Sequence, residues 1–362
     1  MRITCVLVDR ANYGRLQPVL ELLESADWCE LKIICGGTTV LPRFGQPCGD
    51  ISLQFVVSDG VWHEVEGSCL VSTAKSVGLG VIEYTTAIQK THPDLLLLIG
   101  DRYEALAAAA AAHYLRVPIL HMQGGEVSGT LDDGARRAIT QLARWHVPAT
   151  TQAANNLMKQ GVAACDILAV GCPSADLAAR IQPKRTDGPV LVVYHPDTDS
   201  DNDKRAEIRA ILQAVENHPV DILWPNIDAG SCVIAKEIRD WRRGKRDVHT
   251  HTNLEPSEYL QKLAETRCCV GNSSSFVRDA GFFGTPVVLV GDRQRGRQRA
   301  HNVLFAATDT KSVKNTLTLQ DCLRFEPSTL YGKPGISQQI VNAINETIGN
   351  HTGTGQLAAV AG

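Results

Sequence analysis

The chain has 362 residues, with 36 Lys and Arg against 39 Asp and Glu, and 44% of its residues are hydrophobic. That length favours two domains of ordinary size, and the near-neutral balance argues against a sequence-independent nucleic-acid binder. The longest apolar run, Ala105 to Ala112, is far too short to span a bilayer, so a soluble protein without a membrane partner is expected.

The opening MRITCVLVDR enters a strand pattern at once and lacks a signal peptide's apolar core and cleavage site, which predicts a cytoplasmic location. Of the eleven cysteines, Cys5, Cys35, Cys268 and Cys269 sit inside apolar strand patterns, and there is no C-x-x-C pair. They read as buried thiols rather than disulfides or zinc ligands. Strand Ile3 to Val8, a helix from Tyr13 to Ser25 and strand Leu31 to Cys35 set a βαβ rhythm, the pattern of a parallel sheet covered by helices. The polar turn Asp9 to Arg15 follows the first strand, where ligands bind in open α/β sheets. It offers either a site or a helix cap with solvated arginines. Val40 to Glu66 is irregular, and His63 stands out in it as a candidate site residue or a core histidine.

Leu95 to Ile99 is a continuous apolar run of the kind found in fully buried parallel strands, ending at Gly100-Asp101-Arg102. A helix over Ala105 to Tyr114 and a short strand, Pro118 to Leu120, lead to His121-Met122-Gln123-Gly124-Gly125-Glu126 and then to Asp132-Asp133. Ends of consecutive parallel strands lie on one edge, so Asp101, Glu126 and Asp132 are expected to converge on one crevice, where neighbouring carboxyls can divide acid and base roles. A linker is expected between Val170 and Pro189, giving domains over residues 1–175 and 176–350 and a flexible tail over 351–362. The second series begins at Val190 to Tyr194, ending in His195-Pro196, and continues with Ile222 to Trp224, followed by Asn226.

Arg267 to Gly296 reads as strand Cys268 to Gly271, the run Ser273-Ser274-Ser275, a helix from Phe276 to Phe283 and strand Pro286 to Val290. Hydroxyls and main-chain amides at a strand-to-helix corner suit an anion, although a serine helix cap has the same appearance. Neither a P-loop nor a G-x-G-x-x-G fingerprint is present. The last helix is expected over Ser337 to Ile348.

Taken in register, GDRYEALAAA, HMQGGEVSGTLDDGARRAITQLARWHV, VGCPSAD, WPNIDAGS and GNSSSFVRDAGFFGTPVVLVGDRQRGR resemble the hydrolysing UDP-N-acetylglucosamine 2-epimerases. The likeness is to their sialic-acid branch, including the epimerase half of the animal bifunctional enzyme, and runs from near Arg10 to near His301. The resemblance implies an α/β protein of two Rossmann-like domains facing across a glycosyltransferase-B-like cleft. It implies elimination of UDP to a 2-acetamidoglucal, then addition of water to give free N-acetylmannosamine. It also implies a small-molecule nucleotide-sugar substrate, no metal or other cofactor, and a homodimer or homotetramer.

By the same resemblance Asp101, Asp132 and His195 fall on catalytic or site positions, and Ser273 and Ser274 on the diphosphate seat. Arg10 lies near the phosphates, with Arg102, Asn226, Arg293 and Arg297 as further binding candidates. Two departures stand out. Gln123 occupies a place where relatives carry a catalytic glutamate, with Glu126 two glycines further on as a replacement. Asp279 stands for the glutamate that meets the ribose hydroxyls. A glycosyltransferase of the same fold, a nucleotide-sugar hydrolase and a silent UDP-sugar binder are the alternatives.

Overall fold

The apolar runs become buried parallel strands, because helices cover both faces of each sheet and leave no polar side to alternate with. The computed structural model describes residues 1–198, 202–321 and 323–348. The first sheet is built from β1 (Arg2–Leu7), β2 (Glu30–Gly36), β3 (Val57–Val61), β4 (Leu95–Ile99), β5 (Ile119–Met122) and β6 (Trp145–Val147), in the order β3-β2-β1-β4-β5-β6. The second contains β7 (Val190–Val193), β8 (Val220–Leu223), β9 (Val248–His251), β10 (Cys269–Gly271), β11 (Val287–Val290) and β12 (Val303–Ala306), in the order β12-β11-β10-β7-β8-β9. All pairings are parallel. Every residue of β4 is buried, and each such leucine contributes about 1.5–3 kcal/mol.

Helices α1 (Arg10–Glu24), α2 (Cys48–Ser52), α3 (Leu70–Thr91), α4 (Tyr103–Tyr114), α5 (Asp132–Leu142), α6 (Thr151–Lys159) and α7 (Ser174–Ala178) accompany the first sheet and the crossing to the second. With the second come α8 (Lys204–Ala214), α9 (Ser231–Trp241), α10 (Pro256–Glu265), α11 (Ser274–Arg278), α12 (Thr310–Gln320) and α13 (Ile336–Ala343). This is the two-domain, Rossmann-like, glycosyltransferase-B-like architecture.

Several boundaries differ from the sequence reading, each for a local reason. Helix α1 begins at Arg10, not Tyr13, because the Asp9 carboxylate caps it by accepting from the Asn12 amide at 2.7 Å. The stretch read as irregular, Val40 to Glu66, contains α2 and the edge strand β3. The helix read over Phe276 to Phe283 is one α-helical turn, α11, followed by a 3-10 turn at Ala280–Phe283. Helix α13 ends at Ala343 and gives way to a wider turn over Ile344–Ile348. Its Ile336, Ile340 and Val341 lie in the core of the first layer with Ile3 and Leu16. The tail over residues 351–362 lies outside the described residues. No helix among the described residues is long and apolar enough to cross a membrane.

Candidate active site

Each sheet reverses its winding once, between β1 and β4 in the first and between β7 and β10 in the second. Crevices at such switch points, beyond the carboxyl ends of the strands, are where this architecture binds ligands. Asp9 and Arg10 follow β1, Asp101 and Arg102 follow β4, His195 follows β7, and Asn272 to Ser275 follow β10. The two crevices face each other and line one cavity that opens to solvent. Arg10, Asp101, Arg102, Asp132, His195, Asn226, Ser273, Ser274, Asp279 and Arg293 all line it.

The serine corner depends on Gly271. At φ +145° a Cβ there would come within 2.0 Å of the Val193 carbonyl oxygen, so only glycine lets β10 pass β7 and turn. Asn272 then grips the main chain of His195 with both amide atoms, accepting from its N–H and donating to its C=O at 2.8 Å each. Ser273 caps α11, and the Ser274 hydroxyl receives an Arg15 N–H at 3.1 Å. Since α11 is a single turn, its dipole is small. What this wall could offer an anion is instead its hydroxyls and two guanidinium groups, Arg10 and Arg15. Arg10 reaches across the cleft to the carbonyls of Thr252 and Trp224. Asp279 accepts from the Ser174 hydroxyl at 2.9 Å.

On the opposite wall the carboxyls differ sharply. Burial pushes Asp101 up, but the Arg136 and Arg297 charges outweigh it and hold the group far below the usual carboxylate range. Asp101 is therefore an anion throughout the working range of pH. Asp132, at the start of α5, is pushed up to about 6 by burial and then by the charges of Asp101 and Asp228. It is a cavity carboxyl able to take and return a proton near neutrality; Asp279, on the serine side, is also pushed up, by burial. His195 is pushed down to about 3 by burial and then by Arg293. Its Nδ1 accepts the Asn226 amide at 3.3 Å, so the neutral ring carries its proton on Nε2 and is a hydrogen-bond donor, not a base. Arg102 joins the walls, 3.0 Å from Glu104 and 2.9 Å from Asp228.

Four sequence candidates lie outside the cavity lining. His63 is buried under α3, 3.1 Å from the Ser76 carbonyl and 3.4 Å from the Tyr84 hydroxyl, so it serves the core. Glu126 forms a buried ion pair with Arg278 and lies 3.1 Å from Arg297 Nε. Burial pushes Glu126 up, yet those arginines overcome it and bring it down to about 2. Arg297 bridges Glu126 to Asp101, at 3.3 Å from the latter. Gln123 is buried in the left-handed region at φ +63°. Its Nε2 donates to the Cys172 sulfur at 3.1 Å and its Oε1 accepts from Arg15 at 3.4 Å. The amide thus steadies the arginine that reaches Ser274. Truncating it in Gln123→Ala is expected to raise KM about tenfold, the loss of one buried hydrogen bond to a charged group. The shape of the pH–rate profile should not change, which steady-state kinetics across pH would check.

Sequence reasoning left Arg15 open, as a site residue or a solvated arginine, and missed Arg136, Asp228, Asn272 and Arg278. Arg136 had a legible signal, its i,i+3 and i,i+4 spacing from Asp133 and Asp132 on one helix. Asn272 and Arg278 had none, since their partners are 77 and 152 residues away.

A model of the UDP-N-acetylglucosamine 2-epimerase family matches residues 21–345. The UDP-N,N'-diacetylbacillosamine 2-epimerase (hydrolyzing) of Legionella pneumophila is 31% identical over 318 residues, covering 84% of each chain. The UDP-N-acetylglucosamine 2-epimerase of Neisseria meningitidis serogroup B is 26% identical over 332 residues, covering 86% of this chain and 85% of that protein. Among solved structures, the Methanocaldococcus jannaschii UDP-GlcNAc 2-epimerase in complex with UDP-GlcNAc and UDP superposes with a TM-score of 0.78 at 14% identity, covering 95% of this chain and 99% of that one.

Proposed function

The chain belongs to the UDP-N-acetylglucosamine 2-epimerase family, and on that premise we propose that it is a cytoplasmic, hydrolysing 2-epimerase that converts UDP-N-acetylglucosamine to UDP and free N-acetylmannosamine. One observation carries the reading. A carboxyl pushed up to about 6, Asp132, stands in the same cavity as a seat of hydroxyls and guanidinium groups fit for a diphosphate.

The C2 proton beside an acetamido group is weakly acidic, so its removal needs a placed base and a leaving group whose charge is absorbed. Asp132 takes that proton, the C2–H electron pair forms the C1=C2 bond, and the C1–O bond breaks with its pair leaving on UDP. Ser273, Ser274, Arg10 and Arg15 hold the diphosphate as charge develops there, an electrostatic contribution made without reorganisation. The His195 Nε2–H supplies one further donor. Asp101, fixed as an anion between Arg136 and Arg297, faces the positive charge that grows at C1. Water then adds across the double bond, its hydroxyl to C1 and a proton to C2 on the face opposite to the one that lost it. Asp279 and Asn226 place the nucleoside.

A second reading, the same chemistry on UDP-N,N'-diacetylbacillosamine, is favoured by the 31% identity to the Legionella pneumophila protein. The ratio of kcat/KM for the two sugar nucleotides decides between them, and release of UDP from neither would overturn both. Because Asp132 works only as the anion, kcat/KM is expected to rise with pH through about 6 and then level off. His195, neutral throughout that range, adds no second limb there. A rate independent of pH between 5 and 7 would remove Asp132 from the base role.

A further inference from the structure

Gln123 and Asp279, the two residues at which the sequence departs from the family it resembles, lie on one chain of buried hydrogen bonds. Arg15 donates to Gln123 Oε1 at 3.4 Å, and Gln123 Nε2 donates to the Cys172 sulfur at 3.1 Å. Cys172 Sγ and Ser174 Oγ meet at 3.0 Å, and the Ser174 hydroxyl donates to Asp279 Oδ1 at 2.9 Å. Every member is at least nine-tenths buried, and Cys172 is wholly so. The direction of the protons follows from the first link. A guanidinium only donates, so it fixes the amide oxygen on Arg15 and turns the amide nitrogen to Cys172. With its sulfur accepting there, Cys172 directs its S–H to the Ser174 oxygen, which leaves the one Ser174 hydrogen for Asp279. A carboxylate in place of Gln123 would accept from Arg15 but have nothing to give Cys172.

We infer that Gln123, Cys172 and Ser174 are positioning residues, which hold the Asp279 carboxyl at a set distance from the serine corner. Arg15 also donates to Ser274, the first residue of α11, and Asp279 directly follows the last. The chain therefore grips both ends of a single helical turn, which has little stability of its own. The three side chains between Arg15 and Asp279 come from the turn after β5 and from the start of α7. Burial pushes the Asp279 carboxyl up, and Arg15 and the Ser174 hydroxyl pull against it. Cutting the chain thus leaves a carboxyl that is both looser and less readily ionised. Asp279 shares the cavity wall with Leu254, Pro256, Tyr259 and Leu260, and its charge acts on the Tyr259 hydroxyl. In placing the nucleoside on this wall the inference rests on the proposed function, and it adds which residues set the spacing between nucleoside and diphosphate.

Calorimetry of the full chain with UDP and with inorganic pyrophosphate tests it, since pyrophosphate offers the serine corner a diphosphate but carries no nucleoside for Asp279. Cys172→Ala removes the middle link and leaves the Arg15 bonds to Gln123 and Ser274 in place. It is expected to weaken UDP about tenfold, the loss of a buried hydrogen bond that ends on a charged group, while pyrophosphate binds within about twofold of the unaltered chain. Cys172→Ser, whose hydroxyl accepts and donates in the same place, should keep UDP within about threefold. Ser174→Ala should match Cys172→Ala, and the two together should lose no more than either alone, because members of one chain are not additive. In the infrared, the S–H stretch isolated as the difference between the unaltered chain and Cys172→Ala should lie below that of a thiol dissolved in an alkane, as a donating S–H does. Four results would each overturn the inference: UDP affinity untouched by Cys172→Ala, equal losses of UDP and pyrophosphate, additive losses in the double variant, or an S–H band at the free-thiol frequency. Binding of neither ligand by the unaltered chain would contradict the nucleotide-sugar reading instead, and the S–H band would still decide for or against the chain of bonds.

Discussion

Asp132→Asn is expected to lower kcat by about 10²–10⁴-fold, the range typical of losing a general base, while UDP binds as before. The amide keeps the shape of the carboxyl but cannot accept the C2 proton. Nor does it touch the serine corner on the opposite wall, the proposed diphosphate seat. The acid limb near 6 should also vanish from the residual rate, because the group that produces it is gone. Turnover kinetics across pH, with UDP affinity measured by calorimetry, separate this from a folding defect. Loss of UDP binding together with turnover would mean that Asp132 supports the site without taking the proton.

Glu126→Gln should cost about 3–5 kcal/mol of stability at neutral pH, the usual penalty for leaving a buried ion pair with one partner. The Glu126 side chain joins the turn after β5 to Arg278 of α11 and to Arg297, so the buried Arg278 loses its counter-ion while Arg297 is left with Asp101 alone. The pH dependence has a definite sign. The folded carboxyl is down at about 2 against about 4.3 when unfolded, so its contribution is complete above the unfolded value. It is lost as pH falls from there toward 2. Urea unfolding should therefore show the full difference between the two proteins at pH 7 and almost none near pH 2. An unchanged stability with abolished turnover would instead make Glu126 a reacting group, as its place two glycines after Gln123 first suggested.

What the sequence made legible is what local rules govern. The unbroken Leu95 to Ile99 run announces a strand buried on both faces, and the edge shared by the ends of β4 and β5 puts Asp101 and Asp132 in one crevice. Across the cleft, legibility ends. Arg278 and Arg297 pair with Glu126 only because the second layer closes on the first, a relation with no periodicity or spacing in the chain. Three neighbouring acids therefore looked alike in sequence, and their surroundings divide them. Arg136 and Arg297 fix Asp101 as an anion, two arginines lock Glu126 away from the cavity, and Asp132 keeps a proton affinity near neutrality because burial, and then the charges of Asp101 and Asp228, outweigh Arg293 and Arg102. His63 misled for the opposite reason. A histidine in an irregular stretch suggests a loop site, but α3 folds over it and its hydrogen bonds go to Ser76 and Tyr84. Helix α13, the last among the described residues, belongs to the first core, since Ile336 and Ile340 find their apolar partners beside Leu16.

Incubating the protein with UDP-N-acetylglucosamine in D₂O and following the sugar by NMR tests the central claim most directly. Elimination by Asp132 followed by addition of water predicts UDP and free N-acetylmannosamine carrying deuterium at C2. Free sugar that keeps its original C2 proton, or a nucleotide sugar that returns unchanged, would contradict it.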